Sequence, residues 1–181
     1  MTGEHWHDLV RHPATAALPV RGIAVSLRRP SVGEIRLTFR LQGDFSRIRI
    51  PAPRKARIGH ELWRHTCFEA FVAIEGQRAY HEFNFSPSGE WTVYSFSDYR
   101  KGAPLTDEIQ DPHTAVRLSP GRLELDAMVR LDRLSALHSK AALRMGLAAI
   151  IETDDGLSYW ALCHTGGKPD FHHPDGFALA I

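Results

Sequence analysis

The run GEIRLTFRLQGD alternates without a break. Ile35, Leu37, Phe39 and Leu41 fall on one side and Glu34, Arg36, Thr38 and Arg40 on the other, the period of two that marks a half-buried strand. The preceding VRGIAVSLRRPSVGE is rich in β-formers and ends in a Pro-Ser-Val-Gly turn, so the two segments predict a hairpin. HTAVRLSPGRLELDAMVRLD has the same plan, turning at Ser119-Pro120-Gly121 and placing Leu123, Leu125, Ala127, Val129 and Leu131 on one face. YHEFNFSPSGEWTVYSFSDYR predicts a third hairpin about Ser86-Pro87-Ser88-Gly89, and AALRMGLAAIIETDDGLSYWALCH two strands parted by Asp154-Asp155-Gly156. LWRHTCFEAFVAI is short enough to be a helix, but its Trp63, Cys67, Phe68, Phe71 and Val72 favour a buried strand. KGAPLTDEIQDP reads as a polar loop and RLDRLSALHSK as a short helical turn.

No long amphipathic helix, solenoid-length repeat or low-complexity linker interrupts this pattern, which predicts an all-β fold: a two-sheet antiparallel β-sandwich, immunoglobulin-like or jelly-roll, with at most short helices. The 181 residues suit one domain, and 43% hydrophobic content supplies a core without help from disulfides or a structural metal. Residues 1–18 are set apart as an N-terminal extension and 19–181 as the single domain. Lys and Arg number 22 against 21 acids, a formal net charge of +1, so electrostatics give no reason to expect nucleic acid or an anionic membrane as partner. A small molecule is the expected partner, and the oligomeric state is left open. The start of the chain lacks a basic-then-apolar leader and no apolar stretch is long enough for a membrane helix, which makes the cytoplasm the expected location. Cys67 and Cys163 are expected to be reduced, packed thiols.

Familiar catalytic motifs are missing: the chain has no GxSxG, HExxH, GxxxxGK[ST] or helix-opening GxGxxG. Two aromatic and polar clusters carry the remaining chemistry. Strand alternation through LWRHTCFEAFVA would put Trp63, His65, Cys67 and Glu69 on one face, and a buried Glu69 needs a partner, structural or functional. In YHEFNFSPSGEW, Tyr80, Glu82, Asn84 and Ser86 share a hydrogen-bonding face opposite His81, Phe83 and Phe85. Trp63, Trp91 and Trp160 are the rings suited to stack on a sugar, with core packing as the alternative for each. The closing YWALCHTGGKPDFHHPDGFALAI should be an ordered loop over the sandwich, turned by Gly166-Gly167 and stiffened by Pro169 and Pro174, with Lys168, Asp170, His172 and His173 as mutual partners or the rim of a site. Metal ligation, if any, would use His65, His164, His172 and His173, with Cys67 and Cys163 nearby.

LWRHTCFEAFVA, YHEFNFSPSGEWTVYSFSDYRKG and YWALCHTGGKPDFHHPDGF together resemble blocks of the bacterial DOMON-like proteins, which are related to family-nine carbohydrate-binding modules. The resemblance spans Pro19 to the C-terminus. It implies an immunoglobulin-like or jelly-roll β-sandwich whose relatives bind haem or sugars and usually lack catalysis of their own, with Trp63, His65, Glu69, Asn84, Ser86 and Trp91 near the ligand face. The reading that follows is a non-catalytic domain for a carbohydrate or sugar-like metabolite. A haem- or metal-binding protein with histidine ligands is one alternative. An enzyme in which His65 or His172 meets Glu69 or Asp170 as acid and base is another.

Overall fold

The structure is a computed structural model and describes residues 5–16 and 19–181. In chain order its strands are β1 (Trp6–Arg11), β2 (Val20–Ser31), β3 (Glu34–Gly43), β4 (Arg57–Ile58), β5 (Cys67–Ile74), β6 (Tyr80–Phe85), β7 (Glu90–Asp98), β8 (Lys101–Leu105), β9 (Ala115–Ser119), β10 (Arg122–Arg130), β11 (Leu143–Thr153), β12 (Gly156–Ala161) and β13 (Leu179–Ala180). One short helix, α1 (Leu131–Leu134), follows β10. The four hairpins expected from alternation and turn residues are β2–β3, β6–β7, β9–β10 and β11–β12.

The protein is mostly β, and its strands join into one mixed sheet in the order β4-β7-β6-β5-β11-β12-β1-β2-β3-β10-β9, with β8 beside β7 and β13 beside β11. Two separate sheets were expected; β1 connects them. Its residues Trp6 to Leu9 pair with β2, whereas Val10 and Arg11 pair with β12. This strand lies inside the stretch set apart as an extension, where no run of alternating residues announces it. It is held by the buried Leu9 and by Trp6, whose ring lies 3.7 Å beneath the Arg40 guanidinium.

The sheet curls until its two halves meet. Phe39 of β3 packs at 5.1 Å from Phe68 of β5 and 6.2 Å from Phe85 of β6, ring centre to ring centre. Around them, Ile35, Leu37 and Leu41 face Val72, Phe83, Val93 and Ala149 in one hydrophobic cluster. Each such side chain removed from water contributes roughly 1.5–3 kcal/mol, so the alternation itself drives the curl.

KGAPLTDEIQDP differs from its expected loop. Lys101–Leu105 forms β8 on the outer side of β7, where Pro104 is tolerated because an edge strand need not donate every N–H. A 3-10 turn at Glu108–Gln110 follows, opened by Asp107, whose side chain accepts from the Ile109 N–H. Among the described residues no helix is long and apolar enough to cross a membrane.

Candidate functional site

The alternation that builds the core also sets an outward face on β7, β6, β5, β11 and β12. On β5, Phe68, Ala70 and Val72 point inward, so Cys67, Glu69 and Phe71 point out; on β6, Phe83 and Phe85 point inward and Tyr80, Glu82 and Asn84 out. Strand register then makes neighbours of the outward residues: Glu69 lies opposite Asn84, Glu82 opposite Tyr94, and Ile150 opposite Tyr159.

The closing stretch of the chain runs across this face. Gly166 and Gly167 adopt positive φ angles of 88° and 74°, which turn the chain back at low cost only for glycine. Phe177 anchors the far end, 5.7 Å from the Phe71 ring and 5.3 Å from Tyr80. Gly146 of β11 makes this contact possible, since a Cβ there would stand 3.1 Å from the Phe177 ring. Asp170 fixes the middle: it accepts from Arg100 Nη2 at 2.8 Å, from Tyr99 Oη at 2.5 Å and from the His172 backbone N–H at 3.1 Å. Burial works against its charge, but the Tyr99 and Arg100 bonds outweigh it and hold the carboxyl below its ordinary value.

Between strands and loop lies a cleft of about 380 Å³. Trp63, 41% exposed, stands at its edge with Tyr94, Tyr159 and Phe171, while Glu69 and Glu82 form its floor at 2% and 5% exposure. Glu82 Oε1 accepts from Asn84 Nδ2 at 2.7 Å, and Asn84 Oδ1 in turn receives the Cys67 thiol at 3.6 Å. Glu69 differs: its carboxyl makes no hydrogen bond among the described residues, and Oε1 is enclosed without a partner. Burial pushes Glu82 up to about 7, against the opposing Asn84 bond and Arg100. Burial, then the nearness of Glu82, raises Glu69 well above the usual carboxylate range. The two neighbours therefore both hold their protons more tightly than an ordinary carboxyl.

His172 completes the floor as a neutral imidazole. Burial, reinforced by Arg100 and opposed by Asp170, lowers its pKa to about 4. Its Nδ1 is 2.8 Å from Tyr80 Oη and its Nε2 is 3.7 Å from Glu82 Oε2. Nδ1 and the tyrosine hydroxyl thus share one hydrogen bond, and Nε2 is the ring nitrogen that faces the Glu82 carboxyl.

Of the residues singled out in the sequence, Trp63, Glu69, Glu82 and His172 line the cleft, Asn84 supports Glu82, and Asp170 braces the loop. Trp63 and His65 are not on β5. A 3-10 turn at Leu62–Arg64 precedes that strand, entered through Glu61 with φ at 49°, so the alternation cannot be extended back through them. Trp63 reaches the cleft from this turn. His65 points elsewhere, its Nδ1 2.7 Å from Glu152 Oε2, beside a second concavity of about 550 Å³ that Ser86, Arg49 and Arg54 also border. Trp91 and Trp160 lie inward at 2% and 7% exposure and offer no face to a sugar, with Trp160 Nε1 donating to Ser158 Oγ at 3.0 Å. Lys168 is exposed on the loop, outside the cleft.

The remaining histidines disperse. His164 Nε2 lies 2.8 Å from the Val10 carbonyl oxygen, and His173 Nδ1 accepts from the Asp175 N–H at 3.3 Å. Among the described residues no three His, Cys, Asp or Glu side chains converge as a metal site. Both cysteines are free thiols, Cys67 buried and Cys163 half-buried. Tyr94, Phe96, Arg100, Tyr159 and Phe171 also line the cleft and were not singled out. Tyr94 and Tyr159 were open to discovery by parity, since Tyr94 alternates with the inward Val93 and Tyr159 with the inward Trp160. Arg100 carries no such signal; it sits at a positive φ of 55° in the β7–β8 turn.

No protein-family model and no curated protein matches the sequence. Solved structures do match in fold. One is a Bacteroides uniformis protein provisionally described as carbohydrate-binding, with a TM-score of 0.72 and 16% identity over 95% of this chain and 83% of that one. Another is a family-nine carbohydrate-binding module from Caldicellulosiruptor kristjanssonii in complex with cellotriose, with a TM-score of 0.54 and 13% identity over 91% of this chain and 75% of that one. The same kind of module from that organism in complex with glucose gives 0.53 and 14%, over 91% and 76%. At these identities the likeness is one of fold.

Proposed function

We propose that this chain is a non-catalytic, DOMON-like carbohydrate-binding domain, sandwich-like in the packing of its two half-sheets, which takes a sugar into the cleft between β5, β6, β7 and the closing stretch. The observation that carries the reading is the pairing of an accessible ring with a buried polar floor: Trp63 at the edge, Glu69 and Glu82 beneath. A pyranose presents C–H groups that pack on aromatic faces and hydroxyls that need acceptors and donors, and this cleft offers both within one small volume. The carbohydrate-binding descriptions of its structural neighbours support the same reading.

Isothermal titration with glucose and cellotriose tests it. The wild type should bind at least one of them with a dissociation constant between micromolar and millimolar, as small open sites do. Trp63→Ala should weaken that binding about tenfold or more with an unchanged melting temperature, because its ring lies outside the core. Equal affinity in the variant would contradict the proposal, as would a wild type that gives no heat with these two sugars or with their amino and N-acetylamino counterparts.

A further inference from the structure

The floor of the cleft is short of positive charge. On the elements that face the Glu69–Glu82 pair, Cys67 of β5, Tyr80 of β6, Tyr94 of β7 and Tyr159 of β12 are neutral groups. His172 of the closing stretch is a neutral imidazole, its Nδ1 taken by Tyr80. Arg100 is the cation that lines the cleft among the described residues, and its guanidinium is committed to Asp170 at 2.8 Å and to Tyr99 Oη at 3.3 Å. Arg64, whose guanidinium stands 5.2 Å from the centre of the Trp63 ring at the cleft edge, is tied to Glu61 at 2.9 Å. Glu69 is thus a carboxyl at 2% exposure whose Oε1 has no partner, placed at the wall of a cavity. Burying such a group is costly, and a ligand that brings a charged donor to the carboxyl offsets more of that cost than a neutral hydroxyl does.

We propose that the ligand is an amino sugar, bound with its ammonium group on the Glu69 and Glu82 carboxylates and its ring among Trp63, Tyr94 and Tyr159. This rests on the carbohydrate reading and names the substituent that the site selects. An ammonium donates charge-assisted hydrogen bonds to both carboxylates, offsets the burial that disfavours their charge, and is attracted by the aromatic faces around it. Because both carboxyls hold protons more tightly than ordinary ones, the incoming ammonium competes with those protons. Binding therefore releases protons to buffer, and affinity for the amine falls as the solution is acidified and the pair holds its protons more firmly.

The test compares three probes that differ in one substituent: glucosamine, N-acetylglucosamine and glucose, each titrated into the full chain at slightly acid pH, where the amine is charged, and at neutral pH. Glucosamine should bind about tenfold or more tightly than either of the others, and it alone should give a heat that changes with the ionisation enthalpy of the buffer. Glu69→Gln should shrink the ratio of glucosamine to glucose affinity to a few-fold. Glu82→Gln, which keeps an acceptor for Asn84, serves as the second variant where the first fails to fold. Glucosamine no tighter than glucose, or a preference that survives both substitutions, overturns the amino-sugar assignment while glucose binding upholds the carbohydrate reading. Failure of all three sugars, and of cellotriose, overturns both.

Discussion

Glu124 and Glu82 hold matching positions on opposite halves of the sheet. Each sits on the outward side of a strand whose alternate residues enter the common core. Around Glu124 the outer face of β3, β9 and β10 supplies cations: Arg40 donates at 3.1 Å, Arg117 at 3.3 Å, and Arg122 also bonds it, while Arg117 and Thr38 hold Asp126. The Arg122 bond foremost brings Glu124 down to about 2; burial opposes it, and the Arg40 and Arg117 bonds add to the lowering. Glu82 sits at about 7 because the closing stretch roofs it, and the Asn84 bond and Arg100, itself committed to Asp170, offset that burial only in part. One residue type in one place of the pleat thus ends on opposite sides of its ordinary value. The difference is what lies over the face: water and arginines on one half, a covering loop on the other. The first face is complete in itself; the second is arranged to be completed by a ligand.

That contrast is breakable by substitution. The larger effect belongs to Glu82. Its proton is held more tightly in the folded chain, at about 7, than in the unfolded chain, near 4.5, so the stability it contributes is fully present below the unfolded value and lost as pH rises through the folded one. Glu82→Gln removes this loss. Urea unfolding should find the variant more stable than the wild type above neutral pH, by about 3 kcal/mol as an upper bound, with the two curves converging toward acid pH. His172 and His81, both lowered to about 4, have the opposite slope, but they are present in both proteins and leave the difference. A gap independent of pH would show that the floor is not a strained acid pair.

The smaller effect belongs to Glu124. Its lowered pKa gives stability that is present above the unfolded value and lost as pH falls through about 2, so Glu124→Gln should be less stable at neutral pH and equal at strongly acid pH. Exposure and salt screening confine the neutral-pH cost to about 1 kcal/mol or less, and concentrated salt should shrink it further. A cost as large as the Glu82 effect would remove the distinction between the two faces.

Much of the frame is written locally. Period-two runs such as Ile35 to Leu41 and turns such as Asp154-Asp155-Gly156 specify strand and hairpin within a dozen residues, which is why four hairpins are readable without a structure. β1 and β8 are not: β1 takes part of its identity from β12, distant in sequence, and β8 pairs with the adjacent β7 through a stretch whose Gly102 and Pro104 carry no strand signal. The floor was legible for the same local reason as the hairpins: parity sends Glu69, Glu82 and Asn84 to one side. Trp91 and Trp160 show where composition misleads, since a ring suited to a sugar is equally suited to a core and parity alone decides between them. Trp63 reaches the cleft by a 3-10 turn that breaks the parity, and Arg100 by a left-handed turn residue; neither position can be derived from spacing.

The most direct test of the account is to map the ligand. Backbone amide shifts of the isotopically labelled chain, followed during titration with glucosamine, and with cellotriose in parallel, should move in β5, β6, β7 and β12 and in residues 163–178, and stay still on β3, β9 and β10. Shifts gathered instead on the arginine-rich face, or around His65 and Arg49, would contradict it.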